Sequence, residues 1–161
     1  MNTTRQLSPQ WQFVADTVMD GVSTGSVVAT TIRGRPAHRL IGNVSLENDG
    51  GFVQMAFDLD DASEGETDPG NWTGLVMDVS GNGETYEVRL RTSQLTKPWQ
   101  SFRAEFVADN NWTTIHLPFA AFEAHRHDHT FDPTQLRRIG VLAIGREFHA
   151  DVSVSDIGFY H

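Results

Sequence analysis

Short runs of alternating apolar and polar residues, broken every few positions by turn formers, dominate this chain. Val53, Met55, Phe57 and Leu59 alternate with Gln54, Ala56 and Asp58. Leu75, Met77 and Val79 alternate with Val76 and Asp78, and Tyr86, Val88 and Leu90 alternate with Glu87, Arg89 and Arg91. Phe102, Ala104 and Phe106 do the same against Ser101, Arg103 and Glu105. A period of two puts successive side chains on opposite faces of a strand, so each run predicts a strand with one buried and one wet face. Further β-rich runs cover 26–32, 38–46, 111–117, 138–144 and 148–159, giving nine or ten strands. The expected core is Val53, Met55, Phe57, Leu75, Met77, Val88, Leu90, Phe102, Phe106 and Ile115.

The breaks agree with this pattern. Asn48-Asp49-Gly50-Gly51 and Ser80-Gly81-Asn82-Gly83 carry Asp-Gly and Asn-Gly steps, which tolerate the positive φ of tight hairpins. Residues 60–70 are acidic, hold Pro and Gly, and predict a long solvated loop; a second loop is expected from Glu123 to Pro133. Helical periodicity is confined to about one turn near Phe119–Ala124. Many short strands and no sustained helix predict an all-β fold, a jelly-roll β-sandwich. We expect a short N-terminal tail over 1–10 and one domain over 11–161.

Composition narrows the function. At 161 residues with 39% hydrophobic and 20% charged positions, the chain can bury a real core. A net charge of −9 repels phosphate backbones and anionic lipid, which argues against nucleic acid as a partner and against membrane docking. No apolar run approaches the roughly 20 residues of a membrane helix, so no membrane insertion is expected. There are no cysteines, hence no disulfide, thiolate metal site or cysteine nucleophile. With no secretory signal at the N-terminus, the expected location is cytoplasmic.

Gly21-Val22-Ser23-Thr24-Gly25 matches the G-x-S-x-G nucleophile elbow, which needs a helix after the serine. Ser26-Val27-Val28-Ala29-Thr30-Thr31-Ile32 follows instead, and it is strand-like, so a glycine-rich turn is the better account. His125, His127 and His129 alternate along one segment; extended backbone would put them on one face, a weak candidate set for a divalent metal. They lack a second ligand cluster, and the acidic loop lacks the spacing of a calcium loop, so no metal and no cofactor is expected.

A candidate binding surface comes from strand parity. Arg89 and Arg91 emerge opposite Tyr86, Val88 and Leu90, and Trp99 and Arg103 emerge opposite Phe102 and Phe106. Guanidinium groups and an indole suit an anionic or planar partner group. The alternative is an ordinary solvated face in which Glu87 and Glu105 pair the arginines. Trp11, Trp72 and Trp112 are expected to serve in packing.

Several motifs, taken in order, resemble one known family. Trp11 and Asp16, followed by Val18-Met19-Asp20-Gly21-Val22-Ser23, are similar to the N-terminal signature of the complex I intermediate-associated proteins. Gly42-Asn43-Val44-Ser45-Leu46-Glu47-Asn48-Asp49-Gly50-Gly51-Phe52 resembles a second block of that family. Gly74-Leu75, then Gly81-Asn82-Gly83-Glu84-Thr85-Tyr86 through Leu90-Arg91, resemble a third. Phe102–Phe106, Trp112, Leu117-Pro118-Phe119 and the end near Asp156-Ile157 continue the match. The pattern departs at Asp20, where the family has glycine, and at His125–His129. The resemblance implies a galactose-binding-like jelly roll and a non-catalytic protein-binding role, that of an assembly factor or chaperone for respiratory-complex subunits. In a eukaryote it implies a mitochondrial location. The alternative on the same fold is a carbohydrate-binding module with a glycan partner.

Overall fold

The computed structural model describes residues 4–7, 9–15, 22–47, 51–59, 72–97 and 99–161. The acidic loop over 60–70, the turn over 48–50, and Asp20 and Gly21 lie outside the described residues. Twelve strands lie within them: β1 (Thr4–Gln6), β2 (Gln12–Ala15), β3 (Thr24–Ile32), β4 (Arg35–Val44), β5 (Phe52–Asp58), β6 (Gly74–Gly81), β7 (Thr85–Thr92), β8 (Ser101–Val107), β9 (Thr113–Pro118), β10 (Glu123–His125), β11 (Leu136–Ile144) and β12 (Phe148–Tyr160). Two 3-10 turns, Phe119–Ala121 and Pro133–Gln135, are the helical segments among the named elements.

The strands form two antiparallel sheets. One has the order β3-β4-β12-β6-β9, with β1 also paired to β12; the other runs β10-β8-β7-β11-β5-β2. Each strand sends one alternate set of side chains between the sheets. Leu40, Leu75, Met77, Val152, Ile157 and Phe159 from the first sheet meet Val53, Met55, Phe57, Tyr86, Val88, Leu90, Phe102, Ile139 and Val141 from the second. This is the jelly-roll β-sandwich that the alternation predicts.

Differences from the sequence expectations have local causes. The three strands beyond the expected set, β1, β2 and β10, are three or four residues long, too short to show a period. β1 falls within the stretch expected as a tail; it pairs with β12 from Thr4↔Tyr160 to Gln6↔Gly158, and Leu7 is buried. β10 takes the first residues of the loop expected from Glu123 to Pro133. Nine of the ten expected core residues are buried, while Ile115 is half-buried because β9 is an edge strand.

Tryptophans complete the packing. Trp11 meets Phe57 edge-on at 4.7 Å, and Trp72 stacks on His161 at 4.2 Å. Trp112 donates its indole N–H to the Ile32 carbonyl at 3.0 Å.

Candidate binding face

The outward face of the second sheet gathers the candidate arginines. β7 and β8 are hydrogen-bonded neighbours, and Arg89 stands directly opposite Arg103. Their alternate neighbours Val88, Leu90 and Phe102 are buried in the core, which fixes both guanidinium groups on the outer side. One row of cross-strand partners therefore runs Glu123, Arg103, Arg89, Gly140, Ala56, Gln12. The row beside it reads Glu105, Glu87, Leu142, Gln54, Val14. On the other side, Arg91 opposes Arg138, which opposes Asp58, and His125 opposes Ser101.

The centre of this face is made of small residues. Gly140 and Ala56 sit between the long side chains of Arg89 and Gln12, and Leu142 is buried beside them. The atoms nearest a Cβ built on Gly140 are those of the Gln54 side chain, at 3.1 Å, and Ala56 Cβ, at 3.5 Å. The face is thus low along its middle and lined by arginine and glutamine donors interleaved with glutamate carboxylates.

Its charges are unequally satisfied. Arg89 donates through Nε to Glu87 at 2.8 Å, with both side chains only 15% exposed, and reaches the Ser101 hydroxyl at 3.4 Å. Arg138 pairs with Asp58 at 2.8 Å. Arg91 donates to the Lys97 carbonyl at 3.2 Å; burial and the neighbouring Arg138 hold its pKa below the usual guanidinium value. The Arg103 guanidinium has no hydrogen bond or ion pair among the described residues, although Glu123 faces it in register. Glu105, an expected partner, pairs with none of them, whereas Glu87 does.

Trp99 is 59% exposed and lies in the turn before β8. Strand alternation does not extend to it, because β8 begins at Ser101. The turn is braced by Gln100, whose amide oxygen accepts from the backbone N–H groups of Thr96 and Lys97 and whose amide nitrogen donates to the Arg126 carbonyl. This places Trp99 at the Arg91 end of the face, not on its floor.

His125 belongs to the face too; the sequence singled it out only as a weak metal candidate, because its pairing with β8 is not legible from spacing. Burial lowers its pKa first, with Arg89, Arg103 and Arg126 adding in the same direction against Glu87. The expectation that His125, His127 and His129 share a face is not met. Arg126 has φ of 68°, which ends the extended run and turns His127 the other way. His127 packs edge-on against the core residue Phe102 at 4.7 Å. Its Nε2 lies 2.9 Å from the Ser101 carbonyl, and its Nδ1 accepts from the His129 backbone N–H. Among the described residues no group of three or more His, Cys, Asp or Glu is arranged to hold a metal ion.

The G-x-S-x-G match has no elbow geometry either. Ser23 is buried at 2% exposure, hydrogen-bonds both ways with the Ser45 backbone, and leads into strand β3. An exposed hydroxyl at a strand-to-helix turn is what the chemistry requires.

The family model for Complex I intermediate-associated protein 30 (CIA30) matches residues 2–153. The chain belongs to this family. Among curated protein sequences, none matches it. In fold, the CIA30 domain is similar to the family 11 carbohydrate-binding module from Clostridium thermocellum solved with a beta-1,3-1,4-mixed-linked tetrasaccharide. That likeness has a TM-score of 0.74 at 14% identity and covers 99% of this chain and 96% of the other. The family 11 module of the cellulosomal cellulase Lic26A-Cel5E from the same organism gives a TM-score of 0.76 at 12% identity, covering 99% and 95%. The family 30 module of its cellulosomal cellulase Cel9D-Cel44B gives 0.59 at 15%, covering 98% and 92%. At these identities the likeness establishes the fold alone. No helix among the described residues is long and apolar enough to cross a membrane.

Proposed function

We propose that this CIA30 domain is a non-catalytic binding module that holds a protein partner on the outward face of its second sheet, as an assembly factor or chaperone. The observation that carries this reading is the direct opposition of Arg89 and Arg103 beside the Arg91–Arg138 pair. Four cations collect there among the carboxylates of Glu87, Glu105, Glu123 and Asp58; Arg89 and Arg138 are paired with Glu87 and Asp58, and the Arg103 guanidinium has no ion pair among the described residues. An acidic segment of a partner suits such a face, since guanidinium forks bind carboxylates bidentately. The family description points to intermediates of complex I, so respiratory-complex subunits are the partner class this reading favours.

A glycan partner is the second reading. It is favoured by the tetrasaccharide bound to one structural neighbour and by exposed Trp99. Against it, the described outward strand positions of the face carry no Trp or Tyr to stack on a sugar ring.

The test pairs capture from the protein's own cell lysate with a glycan array. Wild type should capture a defined protein and leave the array blank. The variant R89Q/R91Q/R103Q, checked for folding by its thermal melt, should lose capture. Unchanged capture by that folded variant would remove the face from the reading. Array binding without protein capture would favour the glycan instead.

A further inference from the structure

The first sheet carries a separate pocket. The β3–β4 hairpin closes through a two-residue turn, Arg33-Gly34, with φ of 44° and 82° and Ile32 paired to Arg35. This tip is fastened across the outer side of the sheet. The Trp112 indole N–H holds the Ile32 carbonyl. The Arg35 guanidinium lies 5.2 Å over the Trp112 ring and pairs with Asp78 at 3.4 Å. Beneath the tip a pocket of about 330 Å³ is lined by Arg33, Arg39, Ser80, Asp151 and Ser153, among others. That is the lower end of the range for small-molecule sites, suited to a ligand of one ring.

Its polar groups are arranged unequally. Arg39 and Asp151 form a two-point ion pair, Nε to Oδ1 at 2.8 Å and Nη2 to Oδ2 at 2.6 Å, and so neutralise each other. The remaining N–H donors of Arg39 are unspent. Ser80 accepts from Arg33 Nη1 at 2.9 Å and donates to the Asn110 carbonyl at 3.0 Å. Ser153 is 2% exposed, and its hydroxyl has no hydrogen bond among the described residues. Arg33 has no ion pair there, so its charge is uncompensated. Arg33 also occupies a left-handed backbone position that Asn or Gly adopts more readily. A strained cation aimed at a hydroxyl-lined pocket points to a ligand that rewards it.

We infer that this pocket binds a carboxylate flanked by hydroxyl or amide groups, a single negative charge seated on Arg33 with its neighbours on Ser153 and the free edge of Arg39. One uncompensated cation beside the Asp151 carboxylate favours a monoanion over a dianion. The carboxylate has two possible sources, a free sugar acid or an acidic side chain of another protein. The site lies on the opposite sheet from the arginine face, so its fate is independent of the function proposed above.

The test is an amide NMR titration of the full chain with D-glucuronate, with N-acetylglutamate amide, and with D-glucose as the neutral control. Saturable shifts are expected at Arg33, Ser80 and Ser153 with one or both carboxylates and not with glucose. Glucuronate alone would assign a sugar acid, and the blocked glutamate alone a protein side chain. R33G suits the turn geometry and should keep the melt of the wild type while weakening binding at least about tenfold, the scale of a lost charge-assisted hydrogen bond. R33N is the second variant should the glycine loosen the turn. No saturable shift with either carboxylate, equal shifts with glucose, or undiminished binding by folded R33G or R33N would overturn the proposal.

Discussion

Arg89 and Arg103 oppose each other across adjacent antiparallel strands, and only Arg89 has an acidic partner among the described residues. Like charges in direct opposition destabilise a sheet by roughly 0.2–1 kcal/mol. The two positions should therefore respond with opposite signs. R103T removes the repulsion and places a strand-forming residue there, so the unfolding free energy should rise by about 0.5 kcal/mol. R89L leaves half-buried Glu87 without its cation and should cost about 1–3 kcal/mol. Urea unfolding of both variants checks this, and partner capture should fall in each.

Gly140 offers a steric test of the same face that leaves its charges alone. The atoms nearest a Cβ there belong to the Gln54 side chain, whose amide can swing aside, and then to Ala56 Cβ. G140V crowds Gln54 with a Cβ and two further methyls and should cost about 1–3 kcal/mol. It should also block partner capture by filling the low centre of the face. A folded G140V protein that captures its partner normally would place binding elsewhere.

His125 reports on the face through its titration. Burial and then Arg89, Arg103 and Arg126 depress its pKa below 6.5. The unfolded chain then binds the proton more readily than the folded one. This group's contribution is full above pH 6.5 and is lost as pH falls through the lowered folded value. Imidazole NMR should find His125 titrating below 6.5. R103T should move that titration upward, as should an acidic partner bound on the face.

The parity of the long strands was legible because burial selects one alternate set of side chains. That rule placed Arg89 and Arg91 opposite Val88 and Leu90, and it placed the core from Val53 to Phe106. Sheet neighbours were not legible, because parity gives a face and not a partner; the adjacency of β7 and β8 comes from pairing between distant backbone groups. Parity also failed wherever backbone left the strand. Trp99 sits in a turn braced by Gln100, and one left-handed residue, Arg126, separates His125 from His127. The pocket under Arg33 left no motif, since its walls come from β3, β4, β6 and β12, which pairing alone brings together.

Tyr86 joins the sheets with its hydroxyl. The group accepts from the Asp151 backbone N–H at 2.9 Å and donates to the Asn82 amide oxygen at 2.6 Å, while Asn82 donates to the His149 carbonyl at 2.9 Å. A core tyrosine of β7 thereby ties the turn before it to β12 of the other sheet. The ring is 1% exposed and the phenol's pKa is pushed up to about 12, chiefly by burial. The folded state therefore keeps a proton that the unfolded chain releases near pH 10. The associated stability is full below pH 10 and is lost as pH rises toward about 12, a change of about 2–3 kcal/mol for a shift of this size. Y86F removes both the clamp and the titration. At neutral pH it should cost about 1–2 kcal/mol, because a buried donor and acceptor lose their partner. Between pH 10 and 12 its unfolding free energy should fall less steeply than that of the wild type, and the gap between the two should close. Unfolding measured at pH 7, 10 and 11.5 checks both statements, and parallel slopes for the two proteins would show that the phenol does not titrate from within the fold.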